Sequence, residues 1–575
     1  MLIDPWEEIA TDCALERAIE HLYDAEKSIW SERLVLIKVN LDAVAGRGAM
    51  RECFKIKIQS SPTEKDLQWY DLCSQSIWQV FEGIGRKTAL RIRGALDLPP
   101  VSYQHVTILT IGEVFQYVSV HGYEAVEGIL GQECHDWNGQ VQFRKLVDDY
   151  KSETTRWAHG SLNCMAKRYM DSNIGHDAYR EDIVMQATSK IWCTKFNALR
   201  PPKEIDMLYV GLIELVDRDE RPLLGYESFI TGEYIKWNTN TGWVEDKVIR
   251  HTPHAFSFAS FRLSKGQLMV VDVQGVDDLY TDPQIHALSG DGFGNGNLGA
   301  RGMALFLRSF RFDLNPIVKH FGLCPFITAP GEQAALDDND PLVLKANAGS
   351  SYLDSDEWQH RRLTRSVSQE VDDEDLDPVP FILKDAAANL DVMQCPLNAN
   401  DLIPLKPSAE AQVHHALAVL YDEADERVVN GLACCTAEDA SKFHGWMAAL
   451  AGDSSAMMEC AELSNNKLAW YNIAALRGSQ DGAMKAIELV SSDDHITIIN
   501  YLQLALQNAM ASDADQRREM KVTRFEIHEM LGQGFENISE PGNALEHYKA
   551  AAEICLEMNL FKLNTRLMEH VERLS

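Results

Sequence analysis

The chain has 575 residues, 45% of them hydrophobic, and a formal net charge of −32. This length is too great for one hydrophobic core, so two or three domains are expected. The acidic balance argues against sequence-independent nucleic-acid binding, which depends on cationic surface. The 12 cysteines form no CxxC pair, a pattern typical of free thiols in a reducing compartment.

The first residues, MLIDPWEEIATDCALERA, contain neither the basic leader nor the apolar core of a signal peptide. No apolar run reaches the length of about 18 residues that predicts a membrane-spanning helix. The sequence therefore predicts a cytoplasmic protein with no membrane partner.

The first 58 residues predict a helix from Glu7 to Asp24 and a β-rich stretch around 34–39. Residues 59–158 differ in texture and include the segment GIGRKTA at 83–89, which is similar to a helix-hairpin-helix DNA-binding turn. Because this is a single short match in an acidic chain, we predict that nucleic acid is not a partner. A looped-out insertion and a mispredicted exon are the alternatives.

Residues 159–330 alternate strands with helices, which is an α+β pattern. The predicted strands are Met207–Ile213 and Gln267–Val273, and the predicted helices are Arg180–Leu199 and Gly302–Phe312.

From about 337 to 405 the chain is acidic and turn-rich, with EVDDEDLDPVP at 370–380. Such a charge block predicts a solvated linker. After Ser408 the chain is Ala-rich and predicted to be helical, and the pattern Ala-Ala-Leu-x-Gly recurs at 448–452 and 474–478. This pattern is similar to Sel1 or tetratricopeptide repeats, with an irregular helical bundle as the alternative.

The segment at 270–303 bears most directly on function. Three polar residues follow a predicted apolar strand: Asp272, Gln274 and Asp282. A glycine loop comes next, with Gly294, Gly296 and Gly299. Oxygen ligands for a hard cation beside a flexible loop fit magnesium-assisted phosphoryl transfer. Because the acids precede the glycine loop, a dinucleotide-binding fingerprint is excluded.

The HRDxxxxN, DFG and APE signatures of ordinary protein kinases are missing. Comparable parts occur in another form: a glycine turn GRGAMREC at 46–53, a strand lysine in MAKRY at 165–169, and GYESFITGEYIKWN at 225–238. Together with VVDVQGVDDLYTDPQIH at 270–286, these segments resemble the atypical alpha-kinase family. The resemblance covers about 1–58 and 155–330 and, more weakly, 405–575.

The resemblance implies an α+β, two-lobed alpha-kinase domain over 1–330, interrupted by the atypical insertion 59–158. An acidic regulatory linker at 331–407 and an all-α Sel1/TPR-like helical repeat domain at 408–575 would follow. ATP and Mg²⁺ would be the cofactors. An insertion directly before the strand that carries Lys167 could shift that strand out of register.

The resemblance also implies roles for individual residues. Lys167 would contact the ATP phosphates, and Arg51 would approach the terminal phosphate. Glu227 and the backbone at Phe229 would receive adenine. The glycine turn of the nucleotide site would be formed by Gly46 and Gly48.

For the chemistry, the resemblance makes Asp272 the residue that accepts or orients the substrate hydroxyl. Gln274 and Asp282 would hold Mg²⁺. The Gly294–Gly299 loop would lie beside the peptide substrate.

Regulation is implied as well. Lys203, Arg250 and Thr252 match positions of a phosphate pocket, since paired cations with a hydroxyl donor suit a phosphorylated side chain. In the linker, Thr364 resembles the activating phosphosite and is favoured over Ser366.

Two features depart from the family. Its structural zinc is held by two His and two Cys, but this chain has Phe258, Phe310 and Phe312 where ligands are expected. We therefore predict that zinc is absent and that these rings fill the former metal cavity. In the family, a calmodulin-targeting helix precedes the motif that begins at Asp4, but this chain starts three residues before Asp4. Either the protein is not regulated by calmodulin or the gene model is truncated, so calmodulin binding is left open.

The predicted function is a serine/threonine kinase. Its pairing with C-terminal repeats implies elongation factor 2 as the protein substrate, whose phosphorylation slows translation elongation. The alternative is a catalytically impaired kinase-fold scaffold that binds partners through its helical repeats.

Overall fold

A computed structural model describes residues 4–48, 50–75, 161–245, 248–356, 403–404, 406–511 and 517–575, with isolated positions between 110 and 160. The chain divides into two compact units. The first comprises Met1–Thr194, Glu204–Ile235 and Gln274–Gln284, and the second comprises Lys195–Lys203, Lys236–Val273 and Ile285–Ser575. None of the described helices combines the length and apolarity that a bilayer crossing needs.

A closed six-stranded barrel forms the centre of the first unit, with strand order β1-β2-β3-β4-β7-β6. Its strands are β1 (Glu16–Asp24), β2 (Ile29–Arg47), β3 (Arg51–Gln59), β4 (Leu162–Tyr169), β6 (Val210–Glu214) and β7 (Leu223–Ser228). Alternate residues on β3, namely Phe54, Ile56 and Ile58, are fully buried in the core. This period of two is what a strand with one buried face requires.

Two smaller sheets complete the β structure. One has the order β5-β11-β10-β8 and the other pairs β12 with β9. Their strands are β5 (Asp206–Met207), β8 (Tyr234–Lys236), β9 (Leu268–Val271), β10 (Gln274–Val276), β11 (Leu279–Thr281) and β12 (Gln284–Ala287).

Among the described residues of the first unit, the helices are α1 (Glu7–Asp12), α2 (Glu64–Ser74) and α3 (His176–Ala198), whose last turn belongs to the second unit. The second unit is mostly helical. Its helices are α4 (His251–Leu263), α5 (Gly299–Ser309), α6 (Pro316–His320), α7 (Pro341–Leu353), α8 (Ala409–Asp422), α9 (Glu426–Val429), α10 (Ala437–Leu450), α11 (Ser454–Leu463), α12 (Lys467–Leu476), α13 (Gln480–Leu489), α14 (His495–Ala511), α15 (Arg517–Asn537), α16 (Pro541–Glu557) and α17 (Phe561–Leu574).

Several predicted elements are confirmed. The helix predicted at Arg180–Leu199 corresponds to α3, and the strand at Gln267–Val273 contains β9. The chain after Ser408 is helical, as its composition predicted. These segments have strong local patterns, so distant partners did not change their structure.

Other elements were predicted wrongly. The helix predicted from Glu7 to Asp24 ends at Asp12, because residues 16–24 pair with β2 on one side and β6 on the other. These long-range pairings override the helix propensity of Glu, Ala and Leu. The predicted strand Met207–Ile213 is split into β5 and β6, and α7 lies in the segment predicted to be turn-rich.

A cluster of phenylalanines packs in the second unit. The ring centroids of Phe258 on α4 and Phe310 are 4.9 Å apart and stacked, and Phe312 lies 5.4 Å from Phe258. Phe306 on α5 stacks on Phe310 at 5.7 Å. These separations are those of favourable aromatic pairs, so rings fill this part of the core.

A buried ion pair joins α4 to α8 within the second unit. Arg262 and Glu410 are 1% and 3% exposed, and their two hydrogen bonds measure 2.9 and 3.3 Å. Because both groups lose hydration on burial, removing one leaves an uncompensated charge.

A second buried polar group centres on Glu332. Its carboxylate accepts from the Tyr421 hydroxyl at 2.5 Å, from His444 Nε2 at 3.0 Å and from the Ala329 amide at 2.7 Å. Burial raises the pKa of Glu332, but His444 and the other donors outweigh it and leave the pKa below its usual value. These contacts link the segment after α6 to α8 and α10.

We expect Glu410→Leu alone to lower the free energy of unfolding of the second unit by about 3–5 kcal/mol, because Arg262 is left buried without a partner. The matched double variant Arg262→Met/Glu410→Leu should recover most of this loss. Chemical denaturation followed by intrinsic fluorescence measures both. Equal losses in the single and double variants would contradict this account.

Candidate active site

The barrel sheet fixes the positions of two predicted cations. Lys167 on β4 pairs with Cys53 on β3, and Arg51 pairs with Tyr169. On its other side β4 pairs with β7, where Lys167 faces Gly225. The strand is therefore held on both sides despite the insertion that precedes it.

Lys167 lies between two carboxylates. Its Nζ is 2.7 Å from Glu227 Oε1 and 2.6 Å from Asp282 Oδ2. The Lys167 side chain is 12% exposed, so its charge is compensated largely by these acids rather than by water.

Arg51 joins the same cluster from β3. Its Nη2 is 3.1 Å from Asp282 Oδ1, and its Nη1 is 2.9 Å from Asp182 Oδ2. Asp182 also accepts from the Tyr169 hydroxyl at 2.8 Å. Asp282 is thus bound on one oxygen by Lys167 and on the other by Arg51.

The two carboxyl groups bound by Arg51 have pKa values shifted in opposite directions. Burial raises the pKa of Asp282, but Lys167 and Arg51 outweigh burial and hold that pKa below its usual value. At Asp182, by contrast, burial dominates and leaves the pKa of that carboxyl group raised. Asp282 is therefore the carboxylate that stays ionised, as a metal ligand must.

The backbone places Gln274 and Asp282 side by side. β10 and β11 pair Gln274 with Thr281, and the Gln274 Nε2 donates to the Asp282 carbonyl at 2.9 Å. The Asp282 amide donates to Gln186 Oε1 at 3.1 Å, and its φ is +48°. Aspartate tolerates this left-handed conformation better than most residues.

Glycine is required between these two residues. Gly275 has a φ of +152°, and a Cβ there would lie 2.2 Å from the Leu279 carbonyl oxygen. The close approach of β10 to β11 therefore depends on Gly275.

Asp272 belongs to the second unit and follows β9 directly. Its φ is +58°, and its Oδ1 is 2.6 Å from Lys236 Nζ. The next residue, Val273, is held by three bonds. Its amide donates to Asn238 Oδ1 at 3.1 Å, and its carbonyl accepts from the Trp237 amide at 2.8 Å and the Asn238 amide at 3.4 Å. The carboxylate is thus presented on a fixed, left-handed backbone, which is common at functional positions.

The glycine loop also lies in the second unit. Gly294 and Gly299 have positive φ, and Gly299 begins α5. The Asn297 side chain organises the loop, because its oxygen accepts from the Ala287 and Gly299 amides, both at 3.0 Å. Gly296 lies between these residues in the chain.

Several residues predicted to contact the nucleotide already bind other groups of the protein. The Glu227 carboxylate pairs with Lys167 and accepts from the Thr281 hydroxyl. The Phe229 amide donates to the Asn163 carbonyl at 3.0 Å. Gly46 lies within β2 and pairs with Cys53 of β3, and the Gly48 amide, just beyond β2, donates to the Arg51 carbonyl.

The residues predicted as a phosphate pocket lie in the second unit. Arg250 caps α4 and stacks over the Trp237 ring at 5.3 Å, and Thr252 is buried in the first turn. Lys203 is exposed after α3. Thr364 and Ser366 lie outside the described residues, as does the GIGRKTA segment.

Sequence reasoning missed four residues that organise these groups: Asp182, Gln186, Lys236 and Asn297. Asp182 and Gln186 are four residues apart on α3, so they share one face. This spacing was the available signal. Lys236 and Asn297 gave no such signal in the sequence, because their contacts depend on the tertiary fold.

Comparison with known proteins identifies a family match. The alpha-kinase family profile matches residues 141–317. The chain therefore contains an alpha-kinase domain over these residues. Human eukaryotic elongation factor 2 kinase is 33% identical over 388 residues, which is 66% of this chain and 41% of that protein. Myosin heavy chain kinase C of Dictyostelium discoideum is 41% identical over 170 residues, which is 29% of this chain and 21% of that protein.

The chain therefore spans about two fifths or less of the length of these relatives. Among solved structures, the alpha-kinase domain of myosin heavy chain kinase A in complex with ADP is 26% identical, with a TM-score of 0.35. That match covers 54% of this chain and 98% of the other.

A structural zinc does not fit the residues at the phenylalanine cluster, which offer no nitrogen, oxygen or sulfur ligand. Across the described part of the chain, no three His, Cys, Asp or Glu side chains converge in a metal-binding arrangement. We predict well under one zinc per purified chain by elemental analysis, with an alpha-kinase that retains the His and Cys ligands as the control. A stoichiometric zinc that survives chelator dialysis would refute the prediction.

Proposed function

We propose that this protein is an ATP- and Mg²⁺-dependent serine/threonine kinase of the alpha-kinase type. The observation that carries the proposal is the cluster in which Lys167 and Arg51 share Asp282. Two partly buried cations converge on one carboxylate, and cations placed side by side suit the phosphate oxygens of ATP.

The cluster also fits a divalent cation. Asp282 and Gln274 supply a carboxylate and an amide oxygen, and Mg²⁺ needs only one or two protein carboxylates when substrate phosphates complete its coordination. When bound, Mg²⁺ neutralises charge on the phosphate oxygens. Lys167 would contact the phosphates while Glu227 holds its ammonium in place. Arg51 would approach the terminal phosphate.

Adenine would bind at the end of β7. Because the Phe229 amide already donates to Asn163, the Phe229 carbonyl is the group we assign to the adenine edge. The Glu227 carboxylate is engaged by Lys167, so its contribution to adenine would come from its main chain.

Asp272 would accept or orient the substrate hydroxyl. It is separated from Gln274 by one residue, and Lys236 neutralises it at 2.6 Å. A positioned carboxylate of this kind supplies general-base assistance. The Gly294–Gly299 loop, kept in shape by Asn297, would lie beside the peptide substrate.

The protein substrate we propose is elongation factor 2, whose phosphorylation slows translation elongation. Support comes from relatives named eukaryotic elongation factor 2 kinase in human and rat, the latter 41% identical over 231 residues. The helices after Ser408 would dock this partner, and the cytoplasm would be the site of action.

The test uses the full chain, γ-labelled ATP, Mg²⁺ and purified elongation factor 2. We expect Asp272→Asn to lower label incorporation at least about 100-fold, the usual scale of general acid–base assistance. Asp277→Asn is the matched control, because Asp277 is exposed and shares the left-handed backbone with a φ of +53°. It should retain activity within about twofold, since surface substitutions have small effects.

Equal incorporation by wild type and Asp272→Asn would remove the catalytic assignment and favour the scaffold alternative. Labelling of the chain itself but not of elongation factor 2 would keep the kinase and overturn the substrate.

A further inference from the structure

A groove of 590 Å³ lies between α8, α10 and α11 of the second unit. Its walls combine apolar and charged side chains. The apolar ones include Val419, Trp446 and Leu463, and the charged ones are Asp422, Glu438, Lys442 and Glu459. This volume is in the range of binding clefts, about 300–1,000 Å³. The described residues that line it include none of those assigned to the kinase site or to the predicted phosphate pocket.

The charge of the groove is negative, because three of its four charged side chains are carboxylates. Lys442 pairs with Glu438 on the same helix at 2.5 Å. Asp422 and Glu459 are exposed, and neither has a salt-bridge partner in the part of the chain that the structure describes. Two unpaired carboxylates on one groove attract cationic groups.

Apolar surface accompanies this charge. Leu463 is 58% exposed and Val419 is 38% exposed. Large apolar side chains that are exposed beside polar ones are typical of interaction sites. Trp446 is only 5% exposed, yet its buried indole Nε1 has no hydrogen-bond acceptor among the described residues. Buried donors rarely lack partners, so a carbonyl oxygen of a bound chain would supply the acceptor that this group needs.

Gly445 keeps space free in the wall formed by α10. A Cβ at this position would have one neighbour within 4 Å, the Glu459 Oε2 at 3.9 Å. The space beside Gly445 is therefore not filled by the protein's own side chains, although Gly445 itself is buried. An apolar side chain inserted there would lie next to a carboxylate.

We propose that this groove binds a basic segment of a partner protein. An apolar side chain of that segment inserts beside Gly445, and its lysine or arginine side chains pair with Asp422 and Glu459. Charge complementarity identifies the occupant, since an acidic groove repels acidic chains. The inference rests on the proposed docking role of the helices after Ser408, but binding in the groove needs no phosphoryl transfer.

The experiment is a fluorescence-anisotropy titration of a labelled Lys/Leu peptide, KLLKALKKLLKA, with the full chain in the absence of ATP. We expect saturable one-to-one binding. Asp422→Asn/Glu459→Gln should weaken it about fivefold, since exposed ion pairs are individually weak. The matched control is Glu569→Gln/Glu572→Gln on α17, which neutralises two exposed acids outside the groove. It should leave affinity within about twofold, because salt screens distant charges.

Gly445→Leu tests the apolar part of the groove without changing its charge. The new side chain occupies the space beside Glu459, and it replaces a glycine inside a helix by a better helix former, so the fold should be kept. We expect at least about tenfold weaker binding with no drop in the thermal midpoint, because the anchor position is filled. A Lys/Ser peptide, in which serine replaces every leucine, should bind at least about tenfold more weakly than the Lys/Leu peptide.

Equal weakening by the groove variant and the α17 control would overturn the proposal, as would unchanged affinity in Gly445→Leu. Equal affinity for the Lys/Leu and Lys/Ser peptides would also overturn it, since binding would then reflect general charge attraction. If the peptide does not bind but elongation factor 2 is still labelled, the docking groove is wrong and the kinase assignment stands.

Discussion

The ion pairs around Asp282 are the constraint on which the first unit depends. Lys167 and Arg51 come from neighbouring strands of the barrel, and Asp282 follows β11. Buried charges of this kind are stable only when geometry compensates their lost hydration. The register of β3, β4 and β7 and the left-handed backbone at Asp282 meet that requirement, so the fold and the site share one set of restraints.

The second unit uses the same principle for a different purpose. Arg262 and Glu410 are buried as a pair, and Glu332 is satisfied by Tyr421, His444 and a backbone amide. These contacts attach the C-terminal helices to α4 and the segment after α6. The phenylalanine cluster adds apolar packing where the family resemblance implied a metal.

Local patterns in the sequence predicted α3, β9 and the helical C-terminal part. Asp282, from the motif at 270–286, lies between Lys167 and Arg51 in the structure. The helix predicted through Asp24 failed, because pairing with β2 and β6 is decided by residues far along the chain. The cluster around Asp282 was predicted in composition but not in detail. Asp182 and Gln186 reach it from α3, and no spacing between them and Asp282 reveals a contact across about a hundred residues.

The central claim is that Asp282 binds a divalent cation within the Lys167–Arg51 cluster. Electron paramagnetic resonance of Mn²⁺ titrated into the full chain with ATP tests it most directly. The account predicts that Asp282→Asn weakens Mn²⁺ affinity at least about tenfold, since even loss of an outer-shell partner costs that much, whereas Asp277→Asn leaves it unchanged. Equal Mn²⁺ affinity in wild type and Asp282→Asn would contradict it.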